Sequence, residues 1–396
     1  MTSETASAGV KPARPVPWRD PAVRGIAYQV VFVAAVVGFI AFLVHNTMEN
    51  IGRQNIATGF GFLHREAAFG IGETLIEYSP ADTYFRAFLV GLTNTLYVAA
   101  LGIVLATLLG TVMGLARLSS NWLVRKLAQV YVETFRNIPL ALQLFFWWGL
   151  LNKMAPGPRD AIQILPDVFV SNRGIVYPVA VANPAYRWVG AAFLAGIVLA
   201  IGVSRWARRR QATTGRQLPA GWIGLGLILG LPAIVFLAAG APLQLDVPAL
   251  KGFNFSGGHT VSPEFAALLI GLTVYSGTFI AEIVRAGILA VSWGQSEAAM
   301  ALGLRSGQRM RLVVLPQALR IIVPPITSQY LGITKNSSLA VLIGYPDLVS
   351  IANTSMNQTG QAVEGIAIIM AVYLFISLAI SLAMNLYNRA VALVER

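Results

Sequence analysis

The chain of 396 residues contains no cysteine and only three histidines. The absence of cysteine excludes disulfides, thiolate chemistry and cysteine-ligated metals, although it leaves the redox compartment undecided. His45, His64 and His259 are far apart in predicted loops, so no metal site is expected. Charged residues are also scarce, at 12% of the chain, whereas soluble domains contain about 25%. With 56% hydrophobic residues and a mean hydropathy of +0.65, the composition is that of a polytopic membrane protein.

Several catalytic sequence motifs are missing as well. No lysine follows a glycine in the G-x4-G-K arrangement, so the chain cannot bind and hydrolyse ATP through a P-loop. Neither H-E-x-x-H nor G-x-S-x-G occurs, which removes those two routes to an intramembrane enzyme. The chain is therefore expected not to be an enzyme and to bind no cofactor of its own.

The net charge of +12 does not form one basic patch of the kind that binds nucleic acid. The basic residues cluster beside apolar runs, as the positive-inside rule predicts for a membrane protein. Eight spans are predicted, covering residues 26–44, 85–115, 127–154, 188–203, 222–239, 263–291, a stretch from about 312, and 366–386. This order places every strongly basic segment on one side, which predicts that both termini are cytoplasmic; these segments are 1–24, 117–126, 205–216, 305–311 and the C-terminus.

The spans divide the chain into five parts. Residues 1–24 form a polar cytoplasmic tail, and residues 25–84 hold the first span and an outer loop. The core occupies residues 85–154 and 263–392. Between its two parts, residues 155–262 insert two further spans with their loops, and this insertion returns to the side from which it left.

Two acid–base pairs lie near the cytoplasmic ends of predicted spans. Glu133 and Arg136 are three positions apart in the third span, and Glu282 and Arg285 repeat that spacing in the sixth. Residues at this spacing share a helix face, so both pairs are expected to be structural ion pairs. The alternative is a functional role, since charged residues within membrane spans are functional candidates by default. Pro139 should kink the third span just after the first pair.

The seventh span is a poor helix for contact with lipid, because it contains Pro324 and Pro325 and ends in Lys335, Asn336, Ser337 and Ser338. Polar or irregular backbone at membrane depth is tolerated only inside protein or beside a water-filled cavity. The span is therefore expected to line a transport path. The alternative is that Lys335 extends to the outer surface and has no transport role.

Residues 294–316 are expected to form a short helix at the cytoplasmic surface. Glu297, Ala298 and Ala299 are followed by Gly303 and, later, by Leu315-Pro316. Good helix formers run from Ser296, a predicted N-cap, to Arg305. The helix is too short to span a membrane, and it is apolar on nearly every face. A helix of that kind requires cover on both sides, so a partner protein is expected.

The spacing E-A-A-x3-G-x9-I-x-L-P, with Val313 in the isoleucine place, resembles the EAA signature of ABC-importer permeases. Two further segments, F-R-x-x-P-L-x-x-Q-L-F-F from Phe135 and G-x3-A-E-I-x-R-x-G-I from Gly277, are similar to the polar amino-acid (His/Glu/Gln/Arg) permeases. The long first loop and the insertion are most like the general L-amino-acid subgroup. The resemblance implies an all-α type I ABC importer (MetI-like) transmembrane domain with about eight helices, multi-pass in the bacterial inner membrane, whose outer loops are periplasmic.

The resemblance also implies an assembly that imports glutamate, glutamine, aspartate and related L-amino acids by alternating access. The partners would be a second homologous permease, two ATPases that use ATP and Mg, and a periplasmic amino-acid-binding protein. The coupling helix, residues 294–307, would contact the ATPase through five residues: Glu297, Ala298, Ala299, Gly303 and Leu304. A side chain at Gly303 is expected to obstruct this packing, so Gly303→Asp should release or uncouple the ATPase.

An amino-acid zwitterion needs donors for its carboxylate and acceptors for its ammonium. Polar residues in the spans that could supply both are Asn94, Thr95, Gln143, Ser276, Lys335, Asn336, Ser337 and Ser338. The alternative for each is a bridge between helices. Two other functions stay open: an ion-coupled secondary transporter, which leaves the apolar cytoplasmic helix without a purpose, and a purely structural subunit, against which the polar seventh span argues.

Overall fold

The computed structural model describes residues 21–53 and 58–391. The predicted tail lies outside these residues as far as residue 20, because helix α1, Pro21–Arg53, already begins at Pro21. The stretch 23–50 of α1 is strongly apolar, yet none of its most hydropathic window is buried against the rest of the chain. Such a helix can be stable only where lipid or another subunit covers it. His45 lies in this helix and not in the predicted loop.

The outer loop after α1 packs onto the core. A 3₁₀ turn, Phe60–His64, places Phe62 edge-on against Tyr84 with ring centroids 5.6 Å apart. Further along, Ala67 donates a backbone hydrogen bond to Asp82 O. Because its aromatic side chains pack on the core and its backbone groups pair with each other, this loop forms an ordered cap on one end of the bundle.

Helices α2, Tyr84–Ala116, and α7, Pro263–Leu289, form the centre of the fold. Their close approach depends on glycine, since small residues on one helix face allow two backbones to pack tightly. A Cβ at Gly110 would lie 2.6 Å from Ile280 Cβ, and one at Gly114 would lie 2.7 Å from Ala281 O. Both positions therefore require hydrogen in place of a side chain.

The predicted third span is divided into two helices at Pro139. Helix α3, Trp122–Asn137, ends before this proline, and α4, Leu140–Gly149, begins after it and continues into a π-turn, Leu150–Met154. Proline lacks the N–H of an interior helix position and disfavours helical backbone at the residue before it, so the chain breaks instead of bending.

The insertion contains β-structure, which composition alone did not predict. Strands β1 (Ile162–Leu165), β2 (Val168–Ser171) and β3 (Gly174–Tyr177) form an antiparallel meander, followed by the short β4, Val179–Ala180. Helices α5, Ala185–Thr214, and α6, Ala220–Ala238, then pack as an antiparallel hairpin.

After the hairpin, four short strands follow: β5 (Leu245–Asp246), β6 (Ala249–Lys251), β7 (Asn254–Ser256) and β8 (His259–Val261). Strand β8 pairs with β3 and β5 pairs with β4, while β6 pairs with β7. The two flanks of the inserted hairpin are thus joined by strand pairing, in agreement with a segment that leaves and returns on one side. The helical class predicted from sequence is therefore accompanied by three small sheets.

The remaining helices follow α7. They are α8 (Trp293–Ala301), α9 (Ser306–Arg309), a π-turn (Met310–Val314), α10 (Leu315–Asn336), a 3₁₀ segment (Ser337–Ile343), α11 (Leu348–Thr359) and α12 (Ala362–Val391). Helix α10 packs on α7 and α12, and α11 packs on α2 and α12. The bundle core is thus α2, α7 and α10, with α4, α11 and α12 around it.

Seven helical segments in residues 21–53 and 58–391 are long and apolar enough to cross a membrane. The broken α3–α4 segment is not one of them, so the count of eight remains a prediction. Two contacts support it: Arg117, at the end of α2, reaches Glu282, while Trp148 in α4 donates to Glu264 at the start of α7. Eighteen residues of α7 separate these levels, which corresponds to about 27 Å of helix.

Candidate functional site

Helix α8 contains the residues of the EAA pattern and is half covered by its own chain. Ser296 and Ala299 are buried, since this face lies toward the π-turn that leads into α10. Gln317 of α10 donates to Gln295 Oε1 at 3.3 Å, which ties the two helices together. Ser296 is not the N-cap that its sequence position predicts: the helix begins at Trp293, and Ser296 is an interior residue of its inner face.

The outer face of α8 is apolar and uncovered. Trp293 is 66% exposed, Met300 is 44% exposed and Leu302 is 82% exposed. Glu297 and Ala298 are exposed beside them. Large apolar side chains grouped on one surface mark an interaction site in a protein. We call these five residues the α8 outer face.

Gly303 ends the helix in the left-handed conformation, with φ of +75°. The backbone N–H of Gly303 donates to Met300 O at 2.9 Å, and that of Leu304 donates to Ala299 O at 3.1 Å. These two bonds define a Schellman motif, the common helix terminus in which glycine follows the last helical residue. The predicted coupling helix of residues 294–307 is therefore two short helices joined by this turn.

A Cβ at Gly303 would meet no atom within 4 Å in this chain. The requirement for glycine that the structure demonstrates is therefore conformational, because L-residues adopt the left-handed region at a cost. Leu304 is half-buried after the turn, and Arg305 starts α9 by donating its backbone N–H to Gln308 Oε1. The motif glycine thus reverses the chain direction between α8 and α9.

The two predicted ion pairs have different outcomes. Arg285 Nε donates to Glu282 Oε1 at 3.1 Å, and Arg117 from the end of α2 contacts the other oxygen of the same carboxylate. Glu282 thus joins α2 to α7 at the end of the bundle that leads into α8. Sequence reasoning missed Arg117, because it lies 165 positions away, and only the packing of α2 on α7 brings it close.

The pair Glu133–Arg136 does not form. Glu133 instead accepts a hydrogen bond from Gln129 at 2.7 Å, and Arg136 lies over the ring of Phe279 at 5.4 Å from its centroid. Glu133 is solvent-exposed, and exposed pairs three apart on a helix contribute little. The aromatic face of α7 offers Arg136 a cation–π contact instead.

Three of the predicted path residues are occupied by bonds to the chain itself. Asn94 Nδ2 donates to Glu73 O and Pro346 O at 2.9 Å each, and Thr95 Oγ1 accepts from Leu348 N at 3.0 Å. Gln143 Nε2 donates to two backbone carbonyls at the break between α3 and α4. These side chains hold helix ends in place, which is the bridging alternative.

The other path residues lie on α7 and at the end of α10. Ser276 is buried in α7, and Ser337 is buried with its hydroxyl donating to Thr334 O. Ser338 Oγ donates to Lys335 O, whereas the Lys335 side chain is exposed and Asn336 is half-buried. The structure does not bring the eight residues together into one pocket.

Two adjoining pockets at the outer end share Glu73. One, of about 290 Å³, is bordered by aromatic residues, including Tyr97 and Tyr177, and the other, of about 440 Å³, includes Glu264. Burial raises the pKa of Glu73, although a hydrogen bond with Ser262 lowers it in part. Sequence reasoning did not predict these pockets, because they combine segments distant in the chain; strands β3 and β8 line the smaller one, and the outer loop and the start of α11 line the larger.

The fold and the α8 outer face define a class: a polytopic helical membrane protein with a short helix that exposes apolar side chains between two of its long helices. A family model described as the inner membrane component of binding-protein-dependent transport systems matches residues 102–393. The chain belongs to this family and is therefore a multi-pass protein of the inner membrane. Membership implies an ATPase and a binding protein as partners, and a membrane component without its own ATPase site.

Three relatives match nearly the whole chain. YhdX of Escherichia coli (strain K12) is 52% identical over 95% of this chain and 96% of its own length. The general L-amino acid transport system permease protein AapQ of Rhizobium johnstonii is 49% identical over 95% and 94%. The glutamate/glutamine/aspartate/asparagine transport system permease protein BztB of Rhodobacter capsulatus is 41% identical over 95% and 96%. These matches include the insertion and the long first loop.

Proposed function

We propose that this chain is the permease subunit of an ATP-driven importer of polar L-amino acids of the glutamate, glutamine and aspartate type. The substrate class is supported by AapQ and BztB, whose names specify such amino acids. The observation that carries the proposal is the α8 outer face, on a membrane chain that lacks a P-loop. An ion-coupled transporter would have no use for that surface.

The geometry supports a mechanism of coupling. A partner that binds the α8 outer face pushes on a helix whose inner side packs on the π-turn before α10 and is joined to α10 by the Gln295–Gln317 bond. Helix α7 immediately precedes α8 in the chain, so the two core helices α7 and α10 both move with α8. We propose that the ATPase contacts Glu297 and Ala298, with Leu302 and Met300 supplying the apolar contact. The other three residues that the resemblance implies, Ala299, Gly303 and Leu304, hold and turn the helix that presents this surface.

Access would then alternate between the two sides of the membrane as the ATPase dimer, using ATP and Mg, closes and opens. We propose a heterodimer with a second homologous permease, two ATPases and a periplasmic amino-acid-binding protein. In the substrate path, Ser276, Lys335 and Asn336 remain our candidates, because none of the three side chains makes a hydrogen bond within the residues that the structure describes. The other five predicted residues lie beside the path and hold helix ends in place. They are Asn94, Thr95, Gln143, Ser337 and Ser338.

ATPase capture from membranes tests the coupling. Leu302→Asp and Glu297→Lys alter exposed positions and should leave the fold intact, whereas Leu123→Asp makes the same kind of change at an exposed position of α3. We expect the wild type and Leu123→Asp to retain the ATPase, and the two α8 variants to lose it. Capture by no version would reject the ABC mechanism, and equal capture by all four would reject the α8 outer face as the docking surface.

Uptake into proteoliposomes that contain the whole assembly tests the substrate class. Glutamate, glutamine and aspartate should be imported in preference to leucine, and import should require ATP. Import that survives ATP depletion but stops when ion gradients are dissipated would favour an ion-coupled transporter. Preferential import of leucine would refute the substrate class while leaving the coupling intact.

A further inference from the structure

The inserted α5–α6 hairpin contains a groove that the proposed import function does not use. The two helices touch closely in the middle, where a Cβ at Gly196 would lie 2.6 Å from Leu227 O. Nearer the turn between them, alongside the contact of Gly224 with Ala200, they leave a pocket of about 530 Å³. That volume lies within the range of about 300–1,000 Å³ usual for small-molecule sites.

The groove has apolar walls and a basic mouth. Its walls include Ile197, Ile201, Leu225 and Ile228, and Arg205 and Arg208 stand at the end nearest the turn. Because the turn belongs to the basic segment 205–216, this mouth faces the cytoplasmic headgroup layer. The arrangement thus has a hydrocarbon part within the membrane and a cationic part at its surface.

The positive charge at the mouth of the groove is not balanced by any negative charge in the hairpin. Residues 185–238 contain six arginines and no aspartate or glutamate. No ion pair involves Arg205 or Arg208 among the residues that the structure describes, and both side chains are exposed. Arginine presents a planar fork of donors that matches phosphate oxygens. An anion would therefore neutralise the charge of this mouth.

The surroundings of the groove are those of a lipid-facing surface. Helices α5 and α6 pack chiefly on each other, and Val198 and Leu229 are 68% and 59% exposed. Trp206, beside the mouth, is 54% exposed under the guanidinium of Arg210. Tryptophan concentrates at the level of lipid headgroups, which places Arg205 and Arg208 at phosphate depth.

We infer that this groove binds one anionic phospholipid, whose phosphate lies between Arg205 and Arg208 and whose acyl chain lies along the isoleucine and leucine walls. Basic pockets between membrane helices on the cytoplasmic side recognise such headgroups. The bound lipid fixes the cytoplasmic end of a hairpin that the rest of the chain leaves almost unsupported. This role is independent of which substrate the protein carries.

Native mass spectrometry of the purified full chain, with the subunits that co-purify, tests the site by titration with phosphatidylglycerol and phosphatidylcholine of equal chain length. Phosphatidylglycerol should bind preferentially. Replacement of Arg205 and Arg208 by alanine should weaken its binding roughly thirtyfold, since each arginine near an anionic surface contributes on the order of a factor of five. The matched control, Arg209→Ala with Arg216→Ala, removes the same charge from residues outside the groove and should retain most of the affinity.

A second pair of variants tests the apolar part. Gly221 lines the groove, and a Cβ there meets no atom within 4 Å, so Gly221→Leu should fill the groove without a clash. Gly226→Leu, also in open space but outside the groove, is its control. Gly221→Leu alone should reduce phosphatidylglycerol binding.

Three results would overturn the inference. One is equal binding of the two lipids, and another is an equal loss in both double arginine variants, which would indicate a diffuse charge effect. The third is displacement of phosphatidylglycerol by glycerol 1-phosphate at a similar concentration, because the groove would then be an anion site without an acyl chain.

Discussion

Gly303 could be needed for either of two reasons: to turn the backbone after α8, or to let the ATPase approach closely. Its conformation leads to a prediction that distinguishes these two roles. Its φ of +75° and the two backbone bonds of the Schellman motif indicate that glycine is needed to turn the chain after α8. Gly303→Ala adds a methyl group into open space, so its cost is the left-handed backbone of an L-residue, about 1 kcal/mol. That cost corresponds to roughly a fivefold smaller population of the correctly ended helix.

Asparagine adopts the left-handed conformation far more readily than alanine. If the turn is the reason for glycine, Gly303→Asn should therefore retain the ATPase better than Gly303→Ala, although its side chain is larger. If the ATPase surface must approach closely, as the sequence analysis expected, the larger asparagine should be the more damaging change. Gly303→Asp belongs with asparagine in this comparison, since aspartate also visits that region.

The assay is the affinity of the solubilised permease for its ATPase, measured for wild type and the alanine, asparagine and aspartate variants. Gly307→Ala serves as the control, because this glycine lies in α9 without a positive φ and with open space around it. Alanine is expected to weaken binding up to about fivefold, with asparagine closer to wild type. An order in which asparagine binds more weakly than alanine would refute the argument from backbone conformation.

Two further predictions concern stability, measured by thermal unfolding in detergent. Gly110→Ala should destabilise the chain by roughly 1–3 kcal/mol through overpacking against Ile280, whereas Gly38→Ala in the open surface of α1 should not; equal effects would refute the α2–α7 packing. Burial raises the pKa of Asp347 from 3.8 to about 7, so between these pH values the folded state holds a proton that the unfolded state releases. Stability should fall as pH rises through this window, by at most about 1.4 kcal/mol per pH unit. Asp347→Asn, which keeps a cap on the N–H of Ser350, should lack this fall, and parallel pH profiles would contradict the assignment.

Local sequence was sufficient for most of the membrane architecture. A long apolar helix can be predicted from its own residues alone. The closely packed glycines of α2 could also be recognised, because small residues recur on one face of that helix. The position of Pro139 also predicted an irregularity, although proline and the restricted residue before it produced a break and not a kink. The pairing of Glu282 with Arg117 could not be predicted, because it depends on how α2 and α7 pack.

The insertion does contain a local sequence pattern that predicts strands, although its overall composition does not indicate them. Val168–Ser171 and Gly174–Tyr177 are β-branched and aromatic runs separated by Asn172 and Arg173, a spacing typical of a hairpin. The pairing of β3 with β8 is different, because 81 residues and two membrane helices separate Tyr177 from His259. No local pattern specifies that contact, so the outer pockets beside these strands could not be predicted either.

The short motif at the cytoplasmic surface combines residues that face in opposite directions. Ala299 packs inward, Gly303 turns the backbone and Leu304 bonds back to Ala299, whereas Glu297 and Ala298 face outward with Leu302. The sequence predicted a helix that needs cover on both sides, but an apolar pattern around the whole helix cannot distinguish the inner side from the outer. Loss of the ATPase in a Gly303 variant would therefore not by itself demonstrate contact with the ATPase, since a disordered turn has the same result. Only the exposed positions, Glu297 and Leu302, can report on the docking surface without altering the helix that presents it.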